Sequence, residues 1–69
     1  MDVAHNLRTI RTQRRKTQED IADVLQITQQ QYSRYELGMH DIPVRYIIVL
    51  CKFYGISADW LLGLKDTME

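Results

Sequence analysis

Thr17-Gln18-Glu19-Asp20 and Thr28-Gln29-Gln30-Gln31 share one arrangement, a threonine followed three places later by an acid or an amide. In such a capping box the threonine hydroxyl accepts the third helical N–H while the residue at that position reaches back to the cap. Helix starts at 17 and 28 leave the first helix little more than two turns before the chain reverses. Within it Ile21, Ala22 and Leu25 form one apolar stripe, and Glu19 and Asp20 occupy a first turn where the helix dipole favours negative charge. Gly38 supplies the stop for the second helix. Residues 17–38 are therefore expected to form two short helices joined by a tight turn.

The second of these helices, over 29–37, has two chemically different sides. At about 100° per residue, Thr28, Tyr32 and Tyr35 fall together, and Gln29, Gln30, Ser33, Arg34 and Leu37 fall opposite. Glutamine pairs bidentately with adenine, and arginine with guanine, at the edges exposed in the major groove of DNA. A solvated helix face is the plain alternative. The two caps and the tight turn, which place this helix in a helix-turn-helix, favour recognition.

Around the motif the chain continues as short helices. Val3, Leu7 and Ile10 give an amphipathic first helix over about residues 2–14. Pro43 is expected at the first position of a fourth helix running to about Tyr54, with Ile47, Leu50 and Tyr54 inward, Tyr46 and Cys51 flanking, and Gly55 as the stop. Ser57 caps a short fifth helix carrying Trp60, Leu61 and Leu62 and ended by Gly63; the tail from Leu64 is expected to fray. Residues 1–69 thus predict a single all-α domain of five helices.

Charge is the compositional argument against a nucleic-acid partner. Nine basic and nine acidic residues cancel, whereas non-specific affinity for DNA comes from lysine and arginine on phosphates. The distribution is uneven, with Arg8, Arg11, Arg14, Arg15 and Lys16 preceding Glu19, Asp20 and Asp23. Arg14, Arg15 and Lys16 are accordingly candidate phosphate contacts, with a solubilising run as the competing reading.

Other chemistries find little support. Cys51 is the single cysteine and has no matched base, and His5 and His40 have no second ligand at metal spacing. The expectation is a non-enzyme without metal or cofactor. The tyrosines sit at helical spacing toward the apolar side and suit a core better than a base-stacking platform. No apolar run is long enough to cross a bilayer and no signal-peptide pattern opens the chain, so the cytosol is the expected compartment.

Taken together, Ile10-Arg11, Thr17-Gln18-Glu19-Asp20-Ile21-Ala22, Ser33-Arg34-Tyr35-Glu36-Leu37-Gly38, Pro43 and Ile56-Ser57-Ala58-Asp59-Trp60-Leu61-Leu62-Gly63 resemble the Cro/phage-repressor and Xre-like helix-turn-helix regulators over nearly the whole chain. The resemblance implies a compact five-helix, lambda-repressor-like domain and a transcriptional regulator, commonly a repressor, with its third helix in the major groove. It puts Gln29, Gln30, Ser33 and Arg34 against the bases and Gln18 on a phosphate, and it pairs Arg11 with Glu36 in an ion pair between helices one and three. It also marks departures. The family's turn glycine is Gln26, which implies either a left-handed glutamine or a different local turn. Tyr32 replaces an aliphatic residue and needs a partner for its hydroxyl if buried. The loop after Gly38 is Met39-His40-Asp41 instead of basic.

The implied partner is a palindromic double-stranded DNA operator bound by a homodimer, with half-sites near 34 Å apart. Leu61, Leu64 and Met68 are candidate contacts between protomers, and Ile48 and Val49 form a second apolar candidate. The competing class is a protein-interaction or antitoxin-like module that keeps the fold without binding DNA.

Overall fold

The computed structural model describes residues 2–68. Among them the chain forms five helices and no strand: α1 Val3–Gln13, α2 Gln18–Leu25, α3 Gln29–Glu36, α4 Val44–Tyr54 and α5 Ala58–Leu61. The order and number match the all-α expectation, with α3 ending one residue short of 37. Each helix sends a narrow apolar stripe inward: Leu7 and Ile10 from α1, Ile21, Ala22 and Leu25 from α2, Tyr32 and Tyr35 from α3, and Ile47, Leu50 and Tyr54 from α4. Ile56, Trp60 and Leu61 close the same cluster. Helices this short gain most of their stability from that shared burial.

The helix starts follow the hydroxyl caps, with one difference between them. Thr17 Oγ1 accepts from Asp20 N at 3.0 Å and Asp20 Oδ2 accepts from Thr17 N at 2.9 Å, a complete capping box. The bond from the Thr17 backbone N–H, with a further contribution from the Thr17 side chain, holds the Asp20 carboxyl below its ordinary range. Thr28 Oγ1 accepts from Gln31 N at 3.1 Å, but Gln31 does not reach back. Its amide donates instead to the Tyr35 hydroxyl one turn on, at 3.3 Å. The second box is thus half of what the sequence pattern predicts.

Helix ends show why the turn is possible without glycine. Gln26, after α2, takes φ 59 and ψ 42, and its N–H meets Asp23 O while Ile27 N–H meets Ala22 O. This is a Schellman closure with glutamine at the left-handed position, and Ile27 packs onto the core beside it. Arg15 repeats the geometry after α1 with φ 56, its N–H on Thr12 O and that of Lys16 on Arg11 O. Gly38 fills the equivalent place after α3 at φ 73.

Four expectations need correction. Pro43 is the N-cap of α4, not its first residue: its ψ of 149 is extended, and its carbonyl accepts the first helical N–H groups from Tyr46 and Ile47. Leu62 is the exposed C-cap of α5, so the helix expected to carry it ends one residue earlier, at Leu61. The tail does not fray before Met68, whose carbonyl accepts from Ser57 N at 2.6 Å and whose side chain packs on the core. An N-cap's own N–H lies outside the helix ladder, and the returning tail supplies its acceptor. Leu61, a candidate contact between protomers, is 0% exposed and belongs to the core.

The sequence reading also overlooked Asn6. It is buried on α1, and its Nδ2 donates to Trp60 O at 3.0 Å and Leu61 O at 3.3 Å. Carbonyls at a helix C-terminus have no partner in their own helix. Asn6 supplies one from across the fold and so fixes α5 on α1.

Candidate nucleic-acid interface

The caps on α2 and α3 and the left-handed Gln26 set these helices against each other, with Ile21, Ala22, Leu25, Tyr32 and Tyr35 between them. The opposite side of α3 is left outside. Gln29 and Gln30 are exposed, Ser33 and Arg34 half-buried, and together with Gln18, Leu37 and Met39 they line one open concave surface. Within the described residues, no hydrogen bond or ion pair holds the side chains of Gln29, Gln30, Ser33 or Arg34. Two amides, a hydroxyl and a guanidinium therefore converge on a groove with their hydrogen-bonding capacity unspent.

Behind the groove lies a buried polar cluster. Arg11 donates from Nε to Glu36 Oε2 at 2.7 Å and from Nη2 to Oε1 at 3.0 Å, a bidentate pair between α1 and the last residue of α3. Gln18 Nε2 donates to the same Oε1 at 3.2 Å. Burial works to raise the Glu36 pKa, but the hydrogen bonds from Arg11 and Gln18, together with the nearby Tyr32 hydroxyl, outweigh it and leave the carboxyl below its ordinary value. The bond to Glu36 raises the Arg11 guanidinium further. Arg11 Nη1 also donates to Lys16 O at 2.9 Å, so one guanidinium pins both the end of α3 and the loop between α1 and α2.

Tyr32 is buried in that cluster. Its hydroxyl interacts with the Glu36 carboxylate but falls short of full hydrogen-bond geometry, and the Tyr54 hydroxyl is likewise buried without a bonded partner. Burial, the largest cause for both phenols, pushes their pKa values up and keeps them neutral. The hydroxyl that distinguishes Tyr32 from an aliphatic residue thus faces the ion pair.

The basic segment divides by role. Arg14 spends one donor, Nη1, on Tyr54 O at 2.8 Å, bracing the end of α4. Arg15 and Lys16 extend into solvent from the pinned loop that precedes Gln18. The Gln18 amide spends one of its donors on Glu36, and the backbone N–H of Gln18, in the first turn of α2 where no helical acceptor exists, is open to an anion. No described helix is long and apolar enough to cross a membrane.

Comparison with known proteins agrees with this geometry. The helix-turn-helix family model matches residues 7–61. The chain is similar to the uncharacterized HTH-type transcriptional regulator YobD of Bacillus subtilis (strain 168), at 32% identity over 60 residues, covering 87% of this chain and 54% of that protein. It is 36% identical over 59 residues to the uncharacterized HTH-type transcriptional regulator YqaE of the same organism, covering 86% of this chain and 51% of that one. It is also 36% identical over 56 residues to the SPbeta prophage-derived uncharacterized HTH-type transcriptional regulator YonR, covering 81% and 52%. The chain spans about half the length of these curated relatives. No solved structure matches.

Proposed function

The chain belongs to the Cro/phage-repressor and Xre-like family of helix-turn-helix regulators, and from that premise we propose that it binds double-stranded DNA sequence-specifically, with α3 in the major groove. The observation that carries this reading is the face of α3, where Gln29, Gln30, Ser33 and Arg34 share one concave surface and have no partner within the described residues. Gln29 and Gln30 read adenine edges, Arg34 reads guanine, and Ser33 adds a secondary contact. The backbone N–H of Gln18 and the side chains of Arg15 and Lys16 hold phosphates, with Arg14 contributing the donors it does not spend on Tyr54. The protein acts by occupancy, as a repressor, and carries no catalytic step.

A homodimer is the active species on DNA. One recognition helix reads only a few base pairs, and a chain of zero net charge gains little affinity from phosphates alone. Two adjacent half-sites raise the effective concentration of one protomer for the other. With Leu61 in the core and Met68 folded back, the contact falls to exposed Leu64 and to Ile48 and Val49 on the outer side of α4, where Val44 and Phe53 are exposed as well.

The test is a titration of palindromic duplexes at two salt concentrations, with the half-site spacing varied. Saturable binding that weakens as salt rises, two protomers per duplex and an optimum near one helical turn are expected. A strict single-protomer complex indifferent to spacing would overturn the dimer. Absence of saturable binding would overturn the DNA reading in favour of a protein-interaction module.

A further inference from the structure

We infer that Leu37, flanked by Met39, reads the C5-methyl group of a thymine at the edge of the half-site. The inference rests on the proposed DNA reading and adds to it a residue of opposite chemistry to those already assigned.

Leu37 is 68% exposed and Met39 63% exposed, although both are apolar. Leu37 follows α3 as its C-cap and keeps helical geometry, with φ −83 and ψ −6. Counting from Gln29 at about 100° per residue, it falls near 80°, between Ser33 and Gln30 and in the middle of the polar face. An aliphatic side chain there touches none of the core that Tyr32 and Tyr35 enter. It lines the same concave surface as Gln29, Gln30, Ser33 and Arg34.

Met39 reaches that surface through the turn at Gly38. Its N–H bonds to Arg34 O at 3.0 Å and that of Gly38 to Tyr35 O at 3.2 Å, which makes Met39 the residue that closes the Schellman motif. A residue in this place commonly makes an apolar contact with the helix position it bonds to. After α2 that rule holds: Ile27 bonds to Ala22 and packs on the core. After α3 the corresponding helix position is Arg34, and Met39 stays in solvent beside the groove.

Two exposed apolar side chains in a surface of amides and a guanidinium have one counterpart in the major groove, the thymine methyl, which is the apolar element of the base-edge code. Eight residues separate Leu37 from Gln29, about 12 Å of helix rise. At about 3.4 Å per base pair, the thymine lies three to four pairs from the position Gln29 reads.

The experiment takes the tightest duplex selected from random DNA by the wild-type chain and replaces each thymine in turn by deoxyuridine, which deletes the methyl and leaves the hydrogen-bonding edge unchanged. One or two positions are expected to lose about fourfold in affinity, equivalent to ~0.8 kcal/mol for one buried carbon at 1.4 kcal/mol per tenfold. Leu37→Ala should bind the thymine duplex about fourfold more weakly, lose nothing further on deoxyuridine at that position, and melt like wild type because the side chain is exposed. Met39→Ala should weaken the same position to a smaller degree. If Leu37→Ala keeps the wild-type deoxyuridine profile, or if wild type is insensitive at every thymine, the inference fails while the DNA reading stands. If wild type selects no motif at all, both fail.

Discussion

Glu36, the last residue of α3, is held by Arg11 of α1 with its side chain only 3% exposed, while that of Arg11 remains 13% exposed. The carboxylate accepts three bonds, two from Arg11 and one from Gln18. One buried charge therefore connects α1, the start of α2 and the end of α3. Breaking such a pair strands an uncompensated charge.

Arg11→Met should accordingly destabilise the protein by about 3 kcal/mol, the low end of the range for buried pairs because part of Arg11 stays at the surface. For a domain of this size that is a fall in Tm of more than about 12 °C. Removing both charges, as Arg11→Met with Glu36→Gln, should cost less than the sum of the single changes. Additive effects below about 1 kcal/mol in thermal melts would deny the pair a structural role.

The same pair fixes a pH dependence. The Glu36 pKa is lower folded than its ordinary value near 4.5, so its contribution is fully present above that value and is lost as pH falls through the lower, folded one. Asp20 is shifted in the same direction, so the comparison must isolate Glu36. Melts of wild type and Glu36→Gln between pH 7 and pH 3 should converge at the acid end. Parallel curves across the window would contradict the assignment.

Gln26 occupies a left-handed conformation that costs a side-chain-bearing residue about 1–2 kcal/mol, partly offset because glycine loses more entropy on folding. Gln26→Gly is expected to stabilise by about 0.5–1 kcal/mol. It should raise the urea midpoint without changing the slope. A fall in the midpoint would show that the glutamine makes up for its backbone cost elsewhere.

Asn6→Ala should cost about 1–3 kcal/mol, because it withdraws the side-chain donor from Trp60 O and Leu61 O in a buried setting. Faster amide exchange confined to α5 would accompany the loss. Wild-type stability in this variant would mean that α5 is held by packing alone.

Local chemistry explains which parts of this protein are legible in the chain. Threonine caps, the Gly38 stop and the stripes on α2 and α4 act within a turn of themselves, and the helices appear where those signals place them. The two sides of α3 separate as its period predicts, with Tyr32 and Tyr35 inside. Long-range partners leave no such trace. A lone asparagine at position 6 carries no sign that its acceptors lie 54 and 55 residues away. Nor does Thr28-Gln29-Gln30-Gln31 reveal that Gln31 will prefer the Tyr35 hydroxyl to the cap. Gln18 shows the same limit at the candidate site: its position at a helix start is evident, whereas the inward turn of its amide depends on where Glu36 arrives. Leu61 and Leu64 look alike as sequence, and only the docking of α5 on α1 buries the first while leaving the second exposed.

Whether the outward face of α3 chooses the DNA sequence is tested most directly by binding-site selection from random DNA. Wild type and a Gln30→Ala, Arg34→Ala variant should be run side by side, with melts showing that both are folded. The wild-type motif is expected to contain adenine and guanine positions, and the variant should lose preference at those positions, with Arg34→Ala alone costing about 1–3 kcal/mol on the wild-type site. Recovery of the same motif by both proteins would contradict the account.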